Sequence, residues 1–130
     1  MITTLMFLAA TAGTPLPAPT TTAVAAPLDY DAAKALADRD EAGMAKVAAD
    51  MLRRSQSGVL ERAADACRSD EKPQPFTVVL ELDAKGAATN HWRNADTGLA
   101  KCMEGKLARQ AFYVPAKAPF YISFEVSFTP

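Results

Sequence analysis

Several things are scarce in this chain, and each scarcity removes a class of function. No apolar run approaches the ~20 residues needed to span a bilayer, the longest being the short stretch "LMFLAATAG" near the start. Surplus positive charge is missing as well: 14 basic and 15 acidic side chains leave a net charge of -1, which argues against binding nucleic acid by phosphate neutralisation and against a polybasic membrane patch. Glycine occurs only 6 times in 130 residues, and none falls in a phosphate-cradling or dinucleotide pattern. There is a single histidine, His91, with no zinc-type spacing around it, so it reads as a surface or sheet-face residue beside Trp92. One histidine is a poor basis for a hydrolase triad, and Ser55, Ser57, Ser69, Ser123 and Ser127 lie in no nucleophile-elbow setting. These readings give a chain with no catalytic residues, no metal and no cofactor.

Charge is also missing locally. The first ionisable side chain is Asp29, and the uncharged stretch before it contains an apolar run followed by "TPLPAPTTTAVAAP", with small residues at Ala23 and Ala25 in an A-x-A arrangement. Residues 1–26 read as a signal peptide, placing the mature chain in the periplasm without a membrane span. The alternative is an Ala/Pro/Thr-rich N-terminus with no export role.

What remains reads as one small α+β domain with a helical preface. Residues 27–56 are rich in Ala, Lys, Arg, Asp and Leu, with apolar positions at Ala33, Leu36, Ala37, Met44, Val47, Met51 and Leu52 near helical spacing. The stripe falters between Asp38 and Gly43, so one helix or two fit equally. The local acids Asp38, Asp40 and Glu41 lack a calcium-loop pattern and read as a solvated helix face. "SQSG" punctuates the chain, and Ser57 is placed to cap a helix carrying Val59, Leu60, Ala63, Ala64 and Cys67 on one face, which Pro73 and Pro75 end.

Two strands and a turn follow. "FTVVLELD" alternates Phe76, Val78, Leu80 and Leu82 against Thr77, Val79, Glu81 and Asp83, giving one strongly buried face. Gly86 in "DAKG" suits a turn, and "AATNHWRN" can return as a hairpin partner. Asp96 or Thr97 caps the next helix. The last segment alternates Phe120, Ile122, Phe124, Val126 and Phe128 against Tyr121, Ser123, Glu125 and Ser127, and the aromatic run that also includes Phe112 and Tyr113 is mostly core. Residues 57–130 therefore predict a small three-stranded antiparallel sheet with two helices packed on one face, α-β-β-α-β in order, preceded by an additional helical segment.

The second of these helices, "GLAKCMEGKLARQAF", places Leu99, Met103, Leu107 and Ala111 on an apolar arc, with Cys102 at its border and Gly105 opposite. Cys67 closes the stripe of the other helix. An even cysteine count, a small domain and an exported chain favour a Cys67–Cys102 disulfide, two buried free thiols being the alternative. A redox-active pair is disfavoured, because there is no C-x-x-C spacing. Gly105 is expected to let the neighbouring helix approach closely.

Taken as a unit, "VVLELDAKGAATNHWRNADTGLAKCMEGKLARQAFYVPAKAPFYISFEVSF" resembles the TonB C-terminal-like superfamily, comprising the energy transducer TonB C-terminal domain and its AgmX/PglI-type branch. The resemblance rests on a strand ending in "DAKG", a second strand ending in "DTG" at Gly98, a helix, an aromatic and proline element "FYVPAK", and a last strand ending at Phe128. A cysteine in each helix, Cys67 and Cys102, is similar to one branch. The resemblance implies a non-catalytic envelope module that binds a protein or peptide partner. A role in TonB-type energy transduction, or an enzyme of unrecognised type, are the alternatives. If the final strand lies at a sheet edge it can accept an added strand, with Tyr121, Ser123, Glu125 and Ser127 lining the outward face.

Overall fold

A computed structural model describes residues 27–111 and 113–128; the expected signal peptide and Phe112 lie outside the described residues. The elements are α1 (Tyr30–Ala42), α2 (Lys46–Ala66), β1 (Phe76–Leu82), β2 (Ala88–Arg93), α3 (Gly98–Ala108) and β3 (Phe120–Val126). The three strands form one antiparallel sheet in the order β2-β1-β3, so β1 is central and β3 lies at an edge. Among the described residues no helix is long and apolar enough to cross a membrane.

The main core lies on one sheet face. Phe76, Val78, Leu80 and Leu82 of β1 and Phe120, Ile122, Phe124 and Val126 of β3 bury against Leu52, Val59 and Ala63 of α2 and Leu99, Ala100, Met103 and Leu107 of α3. The period-two alternation of the two strands supplies this face, and β1 and β3 run in strict register, Val78 opposite Phe124 and Leu80 opposite Ile122. The Cys67–Cys102 disulfide joins the end of α2 to α3 across this layer.

Three local expectations are corrected. The "SQSG" stretch does not break the chain: α2 runs through it, and Ser57 is an interior residue rather than a cap. The reason is tertiary, since Leu52, Val59 and Ala63 form one buried stripe that spans the polar stretch and outweighs its poor helix propensity. Within the same helix, Val47 and Met51 are exposed rather than part of the apolar face, which begins at Leu52. Gly105 has nothing within 4 Å of where a Cβ would stand, so it provides no clearance for α2.

The caps and turns follow the sequence more closely. Asp29 accepts from the Ala32 N–H at the start of α1, and Thr97 accepts from the Ala100 N–H at the start of α3. The α3 N-terminus gains a second acceptor from a distant loop, Glu71 Oε1, 3.0 Å from the Leu99 nitrogen. In the β1–β2 turn Gly86 has φ of 85°, and Asp83 accepts from the N–H groups of Lys85 and Ala87, the Ala87 bond first among the causes that hold its carboxyl below the ordinary carboxylate value.

The second sheet face is closed by α1. Ala33 and Ala37 are fully buried against Val79 and Tyr121, with Tyr30, Leu36 and Trp92 packed around them. The sheet is therefore sandwiched, with α2 and α3 on one side and the N-terminal helix on the other.

Candidate interaction edge

An edge strand exposes the backbone groups that face away from its neighbour. In β3 the alternation of an antiparallel pair turns the N–H groups of Tyr121 and Ser123 outward, away from β1. Both are occupied, and by side chains rather than by another strand. The Tyr121 N–H donates to Asp40 Oδ2 at 3.0 Å, and the Ser123 N–H donates to Glu41 Oε2 at 2.7 Å. The Ser123 carbonyl accepts from Gln56 Nε2 of α2 at 2.9 Å. Further along, Lys34 pairs with Glu125 at 3.7 Å, and at the opposite end of α1 the Trp92 indole N–H donates to the Leu28 carbonyl at 2.8 Å.

The carboxylates that reach the edge sit in the last turn of α1, where negative charge opposes the helix dipole. Their surroundings offset that cost. Asp40 is buried, held by the Arg39 guanidinium at 2.9 Å and approached by Lys117 at 3.6 Å in addition to the Tyr121 N–H. Glu41 is half-buried, and desolvation pushes its carboxyl above the ordinary carboxylate value, opposed by the Ser123 hydrogen bond and by Lys34. The expectation of a solvated acidic face is thus corrected for Asp40 and Glu41: unsatisfied strand amides recruit them. Asp38 is exposed, paired with Lys34 one turn back.

The four expected edge residues are placed unequally. Tyr121 is buried under α1, its ring 6.1 Å from that of Trp92 and its phenol pushed up from its ordinary value chiefly by burial, instead of lining an open face. Ser123 is half-buried, with its backbone N–H donating to Glu41 and its carbonyl accepting from Gln56. Glu125 is exposed, and Ser127 follows the last residue of β3 in the open. A sequence signal for the covered face existed: Val79, Trp92 and Tyr121 place one apolar residue on each strand, and the β1–β2 register sets Val79 opposite Trp92.

A second polar cluster escaped the sequence reading. Glu104 of α3 is buried between His91 and Arg93 of β2, its Oε2 2.9 Å from His91 Nδ1 and its Oε1 2.6 Å from the Arg93 guanidinium, which also reaches Asp96. The bond to Glu104 is the first cause that raises the Arg93 pKa. The arrangement locks α3 onto β2 and brings His91 beside a carboxylate that is thirteen residues away in sequence. Among the described residues no three His, Cys, Asp or Glu side chains gather as metal ligands.

Compared with protein-family models, with characterised proteins and with solved structures, the chain matches none.

Proposed function

We propose that this chain is a non-catalytic, exported protein- or peptide-binding module, of the kind the TonB C-terminal-like resemblance implies, which takes an extended segment along the β3 edge in the periplasm. The observation that carries the reading is the state of that edge: the outward N–H groups of Tyr121 and Ser123 and the Ser123 carbonyl are partnered by Asp40, Glu41 and Gln56 side chains, so hydrogen-bonding positions of a further strand are present without one. A three-stranded sheet backed by the disulfide-joined helices α2 and α3 supplies a platform for such an addition. Tyr121, Ser123, Glu125 and Ser127 are the contact residues of this reading.

The test is selection of short random displayed peptides on the oxidised full chain, followed by amide chemical-shift mapping. Binders that perturb Ser123, Glu125 and Ser127, and that are lost in Glu125→Pro, support strand addition. Binders that map only to helical surfaces, or no binders after repeated selection, count against it.

A further inference from the structure

The two faces of the sheet are closed by chemically different means. On the α2–α3 side the contacts are large apolar side chains, Leu52, Val59, Leu99, Met103 and Leu107, with a covalent staple between the helices. On the α1 side the fully buried apolar helix residues are two alanines, flanked by the half-buried Tyr30 and Leu36, and the other ties are polar: Asp40, Glu41, Lys34 and the Leu28 carbonyl. Burial of apolar area scales with side-chain size, so Ala33 and Ala37, with Tyr30 and Leu36 only half-buried, anchor α1 with less buried apolar area than Leu99, Met103 and Leu107 give α3. Every one of the polar ties is also one that water or another backbone can replace.

The connection supports movement of α1 as a unit. Only Gly43, Met44 and Ala45 separate α1 from α2. Beside this joint lies an open pocket of about 320 Å³ whose walls include Asp40, Met44, Tyr113 and Phe120, which leaves space next to the point where α1 would pivot. The carboxylates at that end lie against their own helix dipole, which removes an internal reason for their placement and leaves the β3 amides as the structural one.

We infer that α1 is a removable cover on the β3 edge, released about Gly43–Ala45 and replaced there by an extended peptide. This rests on the peptide-binding reading above and adds its regulation and the chemistry of the partner. Backbone carbonyls of the incoming segment take the places of Asp40 and Glu41 as acceptors for the Tyr121 and Ser123 N–H groups, and one of its N–H groups takes the place of Gln56 at the Ser123 carbonyl. On the vacated face the added strand lies beside Tyr121, with Val79 and Trp92 on the strands behind it, so the segment carries a large apolar residue next to Tyr121. A basic residue near its end replaces Lys34 opposite Glu125.

The experiment compares the oxidised full chain with an Asp40→Ala/Glu41→Ala double variant, which keeps α1 a good helix former while removing both acceptors. Native-state hydrogen exchange is read on α1, on Tyr121 and Ser123, and on the central strand at Leu80. Peptides displayed from a random library and selected on the double variant serve as the binding probe. In the wild type, α1, Tyr121 and Ser123 exchange at least about tenfold faster than Leu80, and selected peptides bind the double variant about tenfold or more tightly than the wild type, because the open state no longer has to be drawn from a minor population. Exchange of α1 only together with Leu80 overturns the cover. Equal affinity for both chains at β3 overturns it too, while leaving the peptide-binding reading intact. Failure to select any peptide that reaches β3, in a variant whose α1 amides exchange freely, overturns both.

Discussion

Ser123 and Glu41, 82 positions apart, are joined by a hydrogen bond of 2.7 Å from the strand N–H to the helix carboxylate. That bond ties the N-terminal helix to the last strand, and it does so through a carboxyl group that burial makes reluctant to ionise. A group whose pKa is raised on folding binds its proton more tightly in the native state, so its contribution favours the folded form below the unfolded value and declines as pH rises through the raised value. For Glu41 the window opens at its ordinary value of 4.5 and extends upward. Stability relative to a Glu41→Gln variant should therefore fall as pH is raised from about 4 to about 7, measured by urea unfolding at each pH. A flat or rising difference across that range contradicts the assignment.

Two glycines should respond oppositely to alanine. At Gly86 the left-handed backbone conformation strains any side chain, and a Cβ would stand 2.1 Å from the Tyr113 carbonyl oxygen, so Gly86→Ala should destabilise by at least about 2 kcal/mol. At Gly105 the space is open and the residue is inside α3, so Gly105→Ala should stabilise by about 0.5–1 kcal/mol. Denaturant midpoints of the two variants settle both signs.

Cutting the staple has a larger expected effect. The Cys67–Cys102 bond closes a loop with a sequence separation of 35, which in the chain-entropy model is worth about 4 kcal/mol. The double Cys67→Ala/Cys102→Ala variant should lose about 2–4 kcal/mol, and the oxidised wild type should lose the same on reduction. Unfolding curves with and without reductant that superimpose would show that the bond contributes nothing.

Glu104 should behave as a structural anion. Its side chain is 9% exposed and pairs with Arg93 and His91, so Glu104→Ala leaves a partly buried guanidinium with Asp96 and the Ala95 carbonyl alone. A loss of about 2 kcal/mol is expected, with Glu104→Gln costing less because it keeps an acceptor for Arg93. Thermal or urea unfolding checks the order; a Glu104→Gln variant worse than Glu104→Ala would reverse it.

Much of the α2–α3 side of the fold is written in local pattern. Alternation in "FTVVLEL" and "FYISFEV" names the strands and their main buried face, "DAKG" names the turn and Thr97 the cap, because each depends on neighbours within a few residues, while the staple follows from there being only two cysteines to pair. The failures have a common cause. Ser57 looks like a cap and Val47 and Met51 look like core until the rest of α2 chooses its face, and that choice is made by Leu52, Val59 and Ala63 meeting a sheet far along the chain. Glu104 sits on a helix as an ordinary charged residue, and only the packing of α3 on β2 delivers His91 and Arg93 to it.

The candidate edge shows the same division most sharply. That β3 is a strand, and which of its side chains alternate, was determined by the sequence itself, since a strand's period is a property of the local backbone. That β3 lies at the edge, that Tyr121 is covered, and that Asp40 and Glu41 leave solvent to accept its amides were decided only by tertiary structure. A short helix of alanines and charges has no strong preference for a partner of its own. Its position is set by the packing of Ala33 and Ala37 on Val79 and Tyr121 and by strand N–H groups some eighty residues away that Asp40 and Glu41 satisfy, and no local pattern carries that information.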